Sequence, residues 1–178
     1  MWRRPYFGGG SDALCRRPGH VHGYHGTTEG TALNSVFDQR FPADLSRMSE
    51  LRATLREALE LRGVSEGSLE RLILVVDEVV ANSIEHGGAY RRSSDPIRVE
   101  VRQDERGLEV EVEDKDVPQD LATTLSREFG AHSGVLPSVD HERGRGMFLV
   151  TLFLEGLRVT PVEGGGMRLR GRLVEGDV

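Results

Sequence analysis

The run Asp77-Glu-Val-Val-Ala-Asn-Ser-Ile-Glu-His-Gly87 holds side chains suited to phosphate chemistry. Glu78, Asn82 and His86 recur at every fourth position, and on a helix that spacing sets them along one side on successive turns. A carboxylate can act as a general base or orient a hydroxyl, and a neutral amide oxygen can ligate a hard cation such as Mg2+ without adding charge. A solvated helix face also looks like a polar row beside an apolar stripe. The residue types, more than the spacing, point to chemistry.

Two further groups stand out. His141-Glu-Arg-Gly-Arg-Gly-Met-Phe-Leu-Val150 sets Arg143, Gly144, Arg145 and Gly146 at the mouth of a short apolar helix. Glycines let backbone approach an anion closely, the free amides of a helix start favour phosphate, and arginines add charge-assisted hydrogen bonds. A tight turn from loop into helix has the same look, but here it follows a long polar stretch that can close over a ligand. Asp114 ends the alternating run LEVEVED and is followed by Lys115, Asp116, Val117 and Pro118. A strand-end carboxylate there can accept a hydrogen bond from an amino group such as that of adenine. Read alone, it is an acidic turn.

The elements that must position these groups follow from hydropathy. Ser35–Phe41 alternates as a strand and Pro42 ends it. Asp44 or Ser46 caps a helix to about Arg62, with Leu45, Met48, Leu51, Leu55, Leu59 and Leu61 as its apolar positions and Gly63 as its stop. A second helix runs from a Ser65 cap to about His86, its stripe formed by Leu69, Leu72, Ile73, Val76, Val79, Val80 and Ile84. Gly87 and Gly88 close it. Strands at Ile97–Arg102 and Leu108–Val112 flank a turn at Asp104–Gly107, and residues 116–143 read as one long polar loop. A helix over Gly146–Leu154 and strands near Leu157–Pro161 and Met167–Leu173, around Gly164–Gly166, complete an α+β order. Sheet and helices are expected in two layers.

Composition narrows the function. The 178 residues carry 23 Lys plus Arg against 29 Asp plus Glu, a net charge of −6, with 37% hydrophobic and 29% charged residues. That suits one domain with a real core, and the acidic balance argues against nucleic-acid binding. Lys115 is the only lysine. It lies in neither a P-loop nor a strand motif of the eukaryotic protein-kinase type, so any use of ATP needs another geometry. Residues 1–33 differ from the rest. They hold seven glycines and four arginines against two acids, a net +2 beside −8 for the remainder, and they read as a flexible extension to a domain over 34–178. Cys15, His20, His22 and His25 can be drawn there as a metal site, although a histidine-bearing tail is the simpler reading. A single cysteine makes no internal disulfide. No apolar run reaches the roughly 20 residues of a membrane span and the start lacks a signal peptide's apolar stretch, so the expectation is a cytoplasmic protein.

In this order the motifs resemble those of the anti-sigma factor serine/threonine kinases of the histidine-kinase-like (GHKL) ATPase superfamily, over about residues 35–175. LERLILVVDEVVANSIEHGG is similar to that family's N-box and GRGMFLV to its second glycine box. FDQRFPADLSRMSELRATLREALELRGVSEGSLERL has the look of its opening. The resemblance implies a two-layer sandwich of the Bergerat type, a mixed, mostly antiparallel sheet with helices on one face. ATP lies between the N-box helix and a lid at 117–143. It also implies roles. Glu78 is the general base for the attacking hydroxyl and Asn82 the Mg2+ ligand. Asp114 reads the adenine amino group, and Asp116, Arg143, Gly144, Arg145 and Gly146 complete the nucleotide site. The implied partners are a sigma factor and a STAS-type anti-sigma antagonist phosphorylated on serine, with a possible homodimer.

Two places depart from the pattern. The family's first glycine box reads Asp-x-Gly-x-Gly, and here it is Asp114-Lys115-Asp116-Val117-Pro118. Met167 stands where many relatives carry threonine. The Glu78/Asn82 pair favours a kinase, whereas the missing glycines and Met167 favour a sequestering module of the same fold with weak or no ATP use. A histidine kinase's catalytic domain fits less well, because no phosphoacceptor helix precedes the motifs.

Overall fold

The computed structural model describes residues 33–87, 91, 96–131 and 145–174. The extension expected at 1–33, with Cys15 and its three histidines, lies outside the described residues apart from Leu33. So do residues 132–144, including Arg143 and Gly144.

Strand β1 (Asn34–Phe41) leads through a short 3-10 turn, Leu45–Arg47, into α1 (Met48–Glu60). Asp44 caps that turn by accepting from the Ser46 amide at 2.9 Å, which settles the cap between the two candidates. Just past the end of α1 comes Gly63, whose φ of 70° lets the Val64 amide reach back to the Leu59 carbonyl. Helix α2 (Glu66–Gly87) follows, with Ser65 at its start accepting from the Ser68 amide. Strands β2 (Ile97–Asp104) and β3 (Gly107–Asp114) form a hairpin, β2 two residues longer at the turn than its hydropathy pattern suggests and β3 one longer at the turn and two at its far end. Helix α4 (Arg145–Phe153), β4 (Leu154–Pro161) and β5 (Met167–Leu173) complete the chain.

One expectation is corrected. The stretch read as a single polar loop contains a helix, α3 (Gln119–Ala131). Pro118 sits just before its first turn, where a missing amide does no harm, and its carbonyl accepts from the Ala122 amide at 2.9 Å. Ala122 and Val117 are buried, so the start of this segment is packed structure.

The five strands lie in the order β1-β2-β3-β5-β4. Every pairing is antiparallel, so the described sheet lacks the parallel component of the expected mixed one. Its inner face is Ile97, Val99 and Val101 of β2, Leu108, Val110 and Val112 of β3, and Leu169 and Leu173 of β5, all buried. Against it lie Leu51, Leu55 and Leu59 of α1 and Leu69, Leu72, Val76 and Val80 of α2. Two layers with one core result, as the hydropathy implied. The outer face carries charge instead. Arg102 bridges to Glu100, Glu109 and Glu111, Arg168 to Glu111 and Glu113, and Arg172 to Asp104. The arginine stems cover the carboxylates, leaving Glu100, Glu109 and Glu111 buried on the face opposite α1 and α2. Among the described residues no helix is long and apolar enough to cross a membrane.

The β4–β5 turn braces the end of β3. Gly166 has φ of 106°, and its amide donates to the Val117 carbonyl at 3.0 Å. A Cβ on Gly166 would lie 2.7 Å from the Lys115 Cα and 2.8 Å from the Asp114 carbonyl oxygen. Neither backbone atom can step aside. Gly164 has φ of 86° but nothing within 4 Å of a built Cβ. Gly166→Ala is therefore expected to destabilise the protein by about 2–3 kcal/mol, combining left-handed strain with displaced backbone. Gly164→Ala carries the conformational term alone. Thermal unfolding of the two variants checks this, and equal melting points would show that the contact with Lys115 adds nothing.

Candidate functional site

Helix α2 presents different sides to different neighbours. Its apolar stripe enters the core, and Asp77 faces α1, where the Arg52 Nε lies 2.7 Å from the carboxylate. Burial pushes the Asp77 carboxyl up, and Arg52 opposes the shift only in part. Asp77 thus belongs to the packing of α1 on α2.

Glu78 and Asn82 face the start of α4. A Cβ on Gly146 would lie 2.0 Å from the Glu78 Oε2, 2.9 Å from its Cδ and 3.6 Å from the Asn82 Nδ2. Only a residue without a side chain lets α4 begin this close to the carboxylate. The structure thereby brings Glu78, Asn82 and Gly146 together from two segments more than sixty residues apart. Arg145 opens α4, so Glu78 sits beside the first turn of a helix, where unpaired amides and the helix dipole favour negative charge. The same property favours phosphate.

Asp114 forms a second group beside the first. Its side chain is 2% exposed. The Ser83 hydroxyl, from the turn of α2 that also carries Asn82, donates to Asp114 Oδ2. The Arg91 Nη2 donates to the same oxygen at 2.8 Å, and the Asp116 amide donates to Oδ1 at 3.0 Å. Arg91 reaches Asp116 as well, Nη1 to Oδ2 at 3.2 Å, and its Nη2 donates to the Ser83 carbonyl at 3.3 Å. Asp114 and Asp116 are thus gathered around one guanidinium. A buried carboxylate needs such partners, since an unpaired charge at 2% exposure is strongly disfavoured.

Of the residues expected at the site, Glu78, Asn82 and Gly146 share one corner and Asp114 and Asp116 share another. Arg145 contributes the first residue of α4, while Arg143 and Gly144 lie outside the described residues. Ser83, Arg91 and Gly166 were not anticipated. Nothing in the spacing of Ser83 or Arg91 links either to a strand end, which lies 31 residues on from Ser83 and 23 from Arg91. Gly166 was legible only as a turn.

The groups present fit ATP at one end. The start of α4 offers free amides to phosphate, and beside Gly146 the Glu78 carboxylate and the Asn82 side-chain amide bring groups that would serve a hydroxyl and Mg2+. At the other end the carboxylate suited to an adenine amino group already holds a guanidinium.

Comparison with known proteins agrees with this architecture. The model of the family described as histidine kinase-like ATPase domain matches residues 41–172, well over half of the chain. No curated protein matches. Among solved structures, a chain of the SiaB-SiaC complex from Pseudomonas aeruginosa superposes with a TM-score of 0.63 at 19% identity, covering 78% of this chain and 89% of that one. At that identity the likeness is one of fold. Because that family model covers well over half of the chain, the chain belongs to the histidine kinase-like ATPase domain family.

Proposed function

We propose that this chain is an ATP-dependent protein kinase that phosphorylates a serine of a STAS-type anti-sigma antagonist and holds a sigma factor inactive in the cytoplasm. The observation that carries the reading is the meeting of Glu78 and Asn82 beneath Gly146 at the start of α4. Glu78 orients the partner's serine hydroxyl and accepts its proton as the oxygen bonds to the terminal phosphorus and ADP leaves. Asn82 would hold Mg2+ through its neutral amide oxygen, and the ion would supply charge neutralisation to the phosphates. Among the described residues no three His, Cys, Asp or Glu side chains gather to hold a metal. The amides at the start of α4 face the same corner and stabilise charge there without reorganising. The neighbouring fold was solved in a complex of two proteins, which supports a protein as the substrate. Residues 1–33 are an extension to this domain, and dimerisation belongs to the same reading.

A second reading has its own observation. Asp114 is already engaged by Arg91 and Ser83, which favours a module that sequesters its partner with little use of ATP.

Titration calorimetry with ATP, with and without Mg2+, separates them. Wild-type protein is expected to bind in a Mg2+-dependent manner, and Asn82→Ala to lose about tenfold or more in affinity together with the metal dependence. Equal affinity in the two proteins would refute the role of Asn82. Absence of binding at millimolar ATP would leave the sequestering module.

A further inference from the structure

We infer that Arg91 sets the nucleotide affinity of this chain by occupying Oδ2 of Asp114, so that an adenine amino group reaches that oxygen only when the guanidinium moves away. The inference rests on the ATP reading above and adds to it a competing group within the protein.

The argument begins with acceptor capacity. Asp114 Oδ2 already takes two donors, the Ser83 hydroxyl and the Arg91 Nη2, and Oδ1 takes the Asp116 amide. Each carboxylate oxygen offers about two lone-pair directions. An incoming amino group aimed at Oδ2 must therefore replace one of its donors. Ser83 is held by α2, whose neighbouring residues are packed in the core. Arg91 lies at the end of a long side chain and is the one able to leave.

The surroundings are shaped to receive that guanidinium. Gly87, the last residue of α2, has its missing side chain directly beneath it. A Cβ there would lie 3.0 Å from the Arg91 Nη2 and 3.1 Å from its Nε. The Arg91 amide donates to the Gly87 carbonyl at 2.7 Å, fixing the base of the side chain at the helix end. Asp116 supplies a second carboxylate, at 3.2 Å from Nη1. Asp116 stands at the place of a glycine in the Asp-x-Gly-x-Gly pattern. Its side chain turns toward Arg91, so the sequence departure and the plug are two halves of one clamp. The clamp is incomplete, because the Arg91 Nε is buried without a hydrogen-bond partner among the described residues. A partly satisfied guanidinium is easier to displace than one with every donor engaged.

The apparent affinity for nucleotide is then the intrinsic affinity reduced by the fraction of molecules with Arg91 withdrawn. Base identity enters as well. A bare Asp114 carboxylate accepts from the adenine amino group and repels the carbonyl oxygen that guanine presents at the same position.

The test is calorimetry of Mg-ATP and Mg-GTP with the full chain as wild type, Arg91→Ala and Asp116→Gly, with thermal melts to confirm folding. Arg91→Ala is expected to tighten ATP binding about tenfold or more and to leave GTP unchanged. Asp116→Gly keeps Arg91 but removes half of its clamp, so a smaller gain is expected from a variant that leaves the buried Asp114 its ion pair. Unchanged ATP affinity in both variants, with wild-type binding still dependent on Asn82, would overturn the inference and leave the ATP reading standing. Equal gains for ATP and GTP would also overturn it, because the effect would then not run through the base edge. Failure of all three folded proteins to bind either nucleotide would overturn the inference and the ATP reading together.

Discussion

On the kinase reading proposed above, Glu78→Ala is expected to abolish serine phosphotransfer while folding and partner binding persist. The loss follows from the role that reading gives the carboxylate. A positioned base commonly contributes about 10²- to 10⁴-fold to proton transfer in the transition state. Removing it therefore takes the rate toward background without touching ground-state contacts. The side chain is not part of the core. Its neighbours Val76, Val79 and Val80 carry the packing of α2, and alanine is a better helix former than glutamate. Mass spectrometry of phosphoserine formation on the STAS-type partner measures the rate, and co-purification measures binding. Glu78→Gln, which keeps size and loses basicity, is expected to fail equally in catalysis. Loss of partner binding along with phosphotransfer would give Glu78 a structural role, and a rate within a few-fold of wild type would remove it from the proton transfer.

The folding frame behind that prediction was legible from hydropathy because each element repeats one period on one face. The stripe from Leu69 to Ile84 has helical spacing, and Leu108, Val110 and Val112 alternate. Helix α3 was legible in part. In QDLATTLSREFGA, Leu121, Ala122, Leu125 and Phe129 recur at helical spacing, but Pro118 ahead of them suggests a break when it in fact opens the helix. The corner formed by Glu78, Asn82 and Gly146 was legible only as motifs in order, since no periodicity says that a glycine near the end of the chain touches a carboxylate in its middle. The Asp114 cluster was half legible. The aspartate stands out at the end of an alternating strand, whereas Arg91 lies in a polar stretch that follows neither a period of two nor one of 3.6. Contacts of that kind are made by the fold, after the elements have packed, and a single sequence carries no local trace of them. The same holds for Gly166, whose turn is visible but whose contact with Lys115 depends on the pairing of β3 with β5.

Gly146→Ala is expected to separate catalysis from stability in the opposite way to Gly166→Ala. At Gly166 an added Cβ meets backbone. At Gly146 it meets the far end of the Glu78 side chain, 2.0 Å from Oε2 and 2.9 Å from Cδ. A flexible carboxylate can rotate away, so the clash is relieved by moving the base rather than by unfolding the site. The backbone here is helical, and Ala in place of Gly within a helix stabilises by up to about 1 kcal/mol. The melting temperature is therefore expected to hold or rise by about 2–4 °C. Phosphotransfer is expected to fall by about 10²-fold, because displacement of a catalytic group by an ångström is enough for that loss. ATP binding changes less, since the added methyl would lie 3.6 Å from the Asn82 amide nitrogen, an ordinary contact. The cycle with Glu78→Ala identifies the cause. If Gly146→Ala acts by displacing Glu78, it adds no further loss once Glu78 is gone, and the two effects are strongly non-additive. Additive losses would mean that the methyl blocks the phosphate corner itself, and a marked drop in melting temperature would mean that α4 cannot start beside α2 without the glycine.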